Sequence, residues 1–110
     1  MANTFKLKTK ANVGVSTVGI YTAPAATTTV VNGITLSNTS GSGVNVGVAV
    51  SRTSTTQDDV NLLKNAPIPQ GSSLEFMGGN KVVLETNDQI NVNSDTNSSD
   101  DAALTIMEIT

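Results

Sequence analysis

Apolar and polar residues alternate along much of the chain with a period of two, and the alternating runs are separated by stretches of Asn, Ser, Thr, Gly and Pro. A period of two puts successive side chains on opposite faces of an extended strand. Residues 5–9 set Phe5, Leu7 and Thr9 on one side and Lys6 and Lys8 on the other, which reads as an amphipathic strand. Residues 13–21 carry Val13, Val15, Val18, Ile20 and Tyr21; the phase slips between Val15 and Val18, so a bend or bulge is expected near Ser16 and Thr17. Pro24, Ala25 and Ala26 end that pairing in a loop. Residues 28–37 read as strand interrupted by Asn32-Gly33, a dipeptide that marks either a two-residue hairpin turn or a bulge within one strand. After a turn at 38–43 comes the cleanest alternation, with Val44, Val46, Val48 and Val50 on one face and only Asn45, Gly47, Ala49 and Ser51 on the other. Residues 52–59 are polar and read as a loop, and 60–65 as a further strand around Leu62 and Leu63. Pro67-Ile68-Pro69-Gln70-Gly71 reads as a rigid connector, because a proline has no amide hydrogen to give to a sheet. Residues 73–77, 81–85 and 89–93 follow as strands at hairpin-like spacing, then a polar loop over 94–101 and a closing strand over 102–109.

Eight to nine short strands with turns every eight to twelve residues predict an all-β fold, a β-sandwich with jelly roll as the leading topology, over one domain spanning 1–110. No helical periodicity of useful length competes with that reading. Composition agrees: β-branched Val, Ile and Thr suit a pleated surface, while Ser, Asn and Gly favour turns. A chain of this length buries roughly 65% of its unfolded surface, enough for one modest core.

Composition also narrows the chemistry. Cys and His are absent, which excludes disulfides, Cys/His zinc sites and thiol or imidazole catalysis. Aromatics are limited to Phe5, Tyr21 and Phe76, too few for the stacking platforms of single-strand nucleic-acid binders. No run of apolar residues is long enough for a membrane helix, and the first residues lack the apolar core of a signal peptide, so a protein made and used without secretion is expected. The net charge of −3 divides unevenly: residues before 58 carry about +4 and the remainder about −7. Folding is expected to mix the two halves, the other possibility being complementary faces on neighbouring subunits.

No catalytic, cofactor or metal site is expected. Asp95, Asn97, Ser99 and Asp101 put oxygens at alternate positions, but a calcium loop of the EF-hand kind needs Gly and Glu where Asp100 and Ile106 stand. Asp58-Asp59 and the Glu85/Asp88 pair lack the aromatics that hold a sugar across a carboxylate pair. Asn38-Thr39-Ser40 and Asn97-Ser98-Ser99 match the glycosylation pattern only as Asn/Ser-rich loops do. The candidate partner-interface residues are Lys6, Lys8 and Lys10, a basic stripe on one strand face, and Gly47 and Ala49, small enough for close approach of another subunit.

Two segments carry a resemblance. One runs from Gly19-Ile20-Tyr21-Thr22-Ala23-Pro24-Ala25 through Val30-Val31-Asn32-Gly33-Ile34-Thr35-Leu36-Ser37-Asn38; the other from Leu62-Leu63-Lys64-Asn65-Ala66-Pro67-Ile68-Pro69-Gln70-Gly71-Ser72-Ser73-Leu74 through Val82-Val83-Leu84-Glu85 to Asp88-Gln89-Ile90-Asn91-Val92. Together they cover more than half of the chain and resemble small virion structural proteins of tailed phages, notably marine and cyanobacterial ones. The resemblance implies a non-enzymatic virion component without cofactors, located on the particle. Its leading form is a capsid decoration (cement) protein bound to the major capsid protein or other virion proteins and favoured as a homotrimer; a tail or neck component is the alternative. Neither nucleic acid nor membrane is expected as a partner. The rival from another class is a carbohydrate-binding adhesin module, against which the aromatic poverty counts.

Overall fold

The structure, a computed structural model, describes residues 3–53, 56–76 and 81–110. Among the described residues there are nine strands and no helix: β1 Asn3–Val13, β2 Val18–Thr22, β3 Thr28–Asn38, β4 Val44–Arg52, β5 Val60–Ile68, β6 Ser73–Phe76, β7 Val82–Leu84, β8 Asp88–Ser94 and β9 Asp100–Ile109. They form two antiparallel sheets. The first has the order β1-β9-β3-β6, with β7 also paired to β3; the second has the order β2-β8-β4-β5. Because β6 pairs with residues 34–37 of β3 and β7 with residues 29–31, the two lie end to end along one edge of β3 and act as a single split strand. With that strand counted once, each sheet has four columns, and apart from the β4–β5 hairpin the chain passes from sheet to sheet between columns. This is the jelly-roll sandwich that the alternation predicts.

The core lies between the sheets. Val31, Ile34, Leu36, Leu84, Leu104 and Ile106 face it from the first sheet, and the even-numbered valines of β4, with Ile68, Ile90 and Val92, face it from the second. Each such side chain contributes roughly 1.5–3 kcal/mol on burial. β9 alternates buried and open positions from end to end, flanked by β1 and β3, and so forms the spine of the first sheet.

Several local expectations change. Asn32-Gly33 is a bulge inside β3, not a hairpin turn: the residues on both sides pair with the same strand, β9, with a register shift between Val31 and Gly33. β1 extends to Val13, and the phase slip expected near Ser16 and Thr17 falls in the link between β1 and β2. Pro67 stands inside β5, opposite Asn45; β5 is an edge strand, where a residue without an amide hydrogen costs the ladder nothing on its open side. The strands expected over 73–77, 81–85 and 89–93 are not a run of hairpins, since β6 and β7 share β3 and β8 crosses to the other sheet. The Gly78-Gly79-Asn80 turn and the Met77 end of that first strand lie outside the described residues.

β1 holds the least expected register. Lys6, Lys8 and Lys10 pair with Ile106, Leu104 and Ala102, whose side chains are buried, so the lysines share the inner side of the sheet. Phe5 and Leu7 consequently point outward and are 70% and 64% exposed. The cause is a bulge between Lys10 and Val13, where Asn12 adopts a left-handed φ of 59°. The bulge reverses the in–out phase, so that Val13 enters the core while Phe5 and Leu7, of the same parity, face away from it.

Candidate interaction surfaces

Three surfaces present chemistry that another molecule could read. The first is the β1 edge. Lys6 donates to Oε1 of Glu108 at 2.7 Å while keeping 42% of its side chain exposed; Lys8 is half-buried and Lys10 exposed. Glu108 is buried on β9, and its Oε2 accepts a 2.6 Å hydrogen bond from the Tyr21 hydroxyl, which lies 2.8 Å from Thr29 Oγ1. Hydrogen bonds from Lys6, then Tyr21, hold the Glu108 carboxyl below the usual range, and burial, aided by the adjacent carboxylate, pushes the Tyr21 phenol up to about 12. Lys6 is thus part of the fold, tying β1 to β9 and β2; Lys8 adds a weaker charge attraction to Glu108, and Lys10 is exposed. Periodicity gives no sign of this network, because Tyr21 and Glu108 are 87 residues apart in sequence and Lys6 lies at the other end of the chain from Glu108.

The second surface is the outer face of the β2-β8-β4-β5 sheet. Gly47 and Ala49 stand there opposite Asn93 and Asn91, and a groove of about 170 Å³ runs over them between Asn61, Leu63 and Asn93. A Cβ at Gly47 would come within 2.5 Å of Asn93 Oδ1 and 3.3 Å of the Leu63 carbonyl oxygen. The missing side chain is therefore used first within the chain, making room for Asn93 and for the irregular β4–β5 pairing. Asn45, Asn61, Asn65, Asn91 and Asn93 line the groove with amides, which both donate and accept hydrogen bonds, and Lys64 and Asp95 add one charge of each sign.

The third surface is the outer face of the other sheet, where strand pairing aligns Phe5, Met107, Val30 and Val83 in one row.

The acidic candidates are dispersed. Asp95 Oδ1 accepts from the Asn45 amide and Asp101 Oδ1 from the Asn12 amide, while the Ser99 hydroxyl bonds to Ser94 and to the Thr96 carbonyl. Among the described residues no group of three or more acidic side chains is placed to hold a metal. Asp88 and Glu85 do come together, around Arg52: its Nε reaches both Asp88 oxygens at 3.1–3.2 Å and an Nη reaches Glu85 at 3.2 Å. The pairing joins the basic and acidic halves of the chain, as Lys6 with Glu108 does, so much of the charge asymmetry is used inside the fold. Asn38, in the first sequon, is buried, and its amide is bonded to the Ser42 and Ile68 carbonyls.

No protein-family model and no curated protein matches the chain. Solved structures do. A chain from the Bacillus endospore appendages, which form a novel family of disulfide-linked pili, superposes with a TM-score of 0.55 at 12% identity, over 97% of this chain and 84% of that one. A chain of the T13 IBDV viral particle, an icosahedral virus, superposes with a TM-score of 0.60 at 13% identity, over 96% of this chain and 30% of that one. At these identities the likeness is one of fold, and this chain spans less than a third of the viral one.

Proposed function

We propose that the protein is a non-catalytic structural subunit that acts by being built into a larger particle, and that the particle is a virion. The observation that carries the reading is the jelly-roll sandwich itself, shared over nearly the whole chain with a pilus subunit and with part of a viral-particle chain. The resemblance of the 19–38 and 62–92 segments to tailed-phage virion proteins supports the same reading from the sequence side. Within that class the position we favour is capsid decoration, as a homo-oligomer with the trimer leading. Lys8 and Lys10 on the β1 edge, and the face bearing Gly47 and Ala49, are the surfaces toward the capsid protein. A tail or neck position is the alternative.

Copy number tests the proposal. Quantitative mass spectrometry of purified particles is expected to find the chain in hundreds of copies. A few copies per particle would move it to the tail or neck, and its absence from particles would end the structural reading. One observation favours a second function, a sugar-binding module: the amide-lined groove over Gly47 and Ala49. Binding to a glycan array that is lost in Asn93→Ala would support that function over the first.

A further inference from the structure

We propose that the outer face of the β1-β9-β3-β7 sheet is the surface on which a second copy of this chain docks. The proposal rests on the multi-copy reading above, but makes the copy–copy contact a two-fold pair in place of the trimer and puts it on the opposite sheet from Gly47 and Ala49. Pairing registers put Phe5 opposite Met107, Met107 opposite Val30, and Val30 opposite Val83, so one apolar row crosses four strands on one face. Leu7 and Ile109, two residues along from Phe5 and Met107, widen it. Phe5, Leu7 and Val83 are 70%, 64% and 58% exposed. Contiguous apolar surface of this kind on a small domain marks an interaction site.

Three arguments identify the occupant as another copy. The row itself carries no charge, so two copies of it meet without repulsion; Glu75 and Asp101, on the same face by register, lie toward the other end of the sheet. The area suffices with a polar rim counted: the whole outer face, ten residues of β9 at about 3.3 Å each across four strand columns about 4.8 Å apart, with β6 completing the column of β7, is roughly 600 Å², and Glu75 and Asp101 lie on its rim. Two such faces bury on the order of 1,200 Å², the lower bound for stable specific pairs. Finally, the competing route, edge-to-edge pairing of β1 with β1, would set Lys6, Lys8 and Lys10 of the two copies against one another, a known guard against edge pairing. The face is open to self-association and the edge is defended against it.

Sedimentation velocity on the full chain tests this. Wild type is expected to dimerise reversibly, and Met107→Glu to weaken dimerisation by about tenfold or more, with the strand-dominated circular dichroism spectrum retained. Phe5→Ser, at the most exposed position of the row, carries the test if Met107→Glu does not fold. Thr22→Asp, at an exposed position of the opposite sheet, is expected to associate as wild type does. A wild type that stays monomeric up to about 1 mM overturns the proposal, as do Met107→Glu and Phe5→Ser proteins that dimerise normally. Incorporation into particles separates the two readings. Wild type present in particles with Phe5→Ser incorporated equally well overturns the docking face and leaves the structural function standing, whereas wild type absent from particles overturns that function.

Discussion

At the scale of single residues, positions that break local rules have identifiable consequences. Ala26 sits at a φ of 54°, where its Cβ crowds the backbone, and it is exposed. Glycine there relieves the crowding, so Ala26→Gly is expected to raise stability by about 0.5–1 kcal/mol, read as a higher urea midpoint at unchanged slope. Asp100 is fully buried at the start of β9, and among the described residues neither carboxylate oxygen has a hydrogen-bond partner. Burial pushes its pKa up to about 6, a shift tempered by the nearby Ser94 hydroxyl and reinforced by Asp101 and Asp95. An acid with a raised native pKa binds its proton more tightly folded than unfolded. Its stabilising contribution is therefore complete below about pH 4 and is lost as pH rises through about 6. Asp100→Asn is expected to remove that fall and to stabilise the protein at pH 8 by about 1–2 kcal/mol, less than the full shift because the amide that replaces the carboxyl is itself buried. Glu108 works in the opposite sense. Its lowered pKa gives stability above the usual glutamate range that is lost as pH falls through its native value, so the two acids act in separate windows. Tyr21→Phe leaves Glu108 with Lys6 alone and is expected to cost about 1.5–3 kcal/mol in chemical denaturation, the usual worth of a hydrogen bond to a charged group.

At the scale of elements, the strands follow from period-two alternation, while two bulges set which face is which. In β3 the bulge at Asn32-Gly33 turns the inward set from Thr29 and Val31 to Ile34 and Leu36. In β1 the bulge at Asn12 turns Phe5 and Leu7 outward. Both bulges have local signatures, Asn-Gly in one case and Asn in the other, but such signatures also fit turns. The choice is made by β9, which pairs on both sides of each irregularity. β9 itself has neighbours on both edges and a buried inner face, whereas β6 and β7 are short and lie at a sheet edge. Native-state hydrogen exchange is expected to be slowest for amides of β9 and β3 and faster by orders of magnitude along β6 and β7. Protection in β7 equal to that in β9 would mean that the split strand is better anchored than its pairing indicates.

At the scale of the whole molecule, the sandwich offers two outer faces of different character, one sheet amide-lined with small residues and the other apolar, with a lysine-bearing edge between them. A subunit that meets unlike neighbours in an assembly needs such differentiated surfaces. Because Lys6 is tied to Glu108, the lysine test belongs to Lys8 and Lys10. Lys8→Ser/Lys10→Ser is expected to lose little stability, Lys8 being a minor charge neighbour of Glu108, but to bind depleted particles more weakly, by about 0.5–2 kcal/mol per subunit at low salt, with the difference shrinking as salt rises. Equal occupancy at both salts would leave these lysines as edge protection and nothing more.

Alternation, turn residues and composition alone settle that the chain is all-β, roughly how many strands it has and about where, and that thiol and imidazole chemistry is absent, with jelly roll as the leading topology. Alternation and turn residues act over a few neighbours. Strand pairing, by contrast, sets which sheet each strand joins, that Pro67 lies within an edge strand, that Lys6 closes a network with Glu108 and Tyr21, and that Phe5 and Leu7 face outward. Each of these depends on partners from 10 (Val50 and Val60) to 106 (Asn3 and Ile109) residues away in the chain. A one-residue bulge reverses the face of every side chain beyond it. Alternation alone therefore fixes that a face is apolar but not whether that face meets the core or the outside.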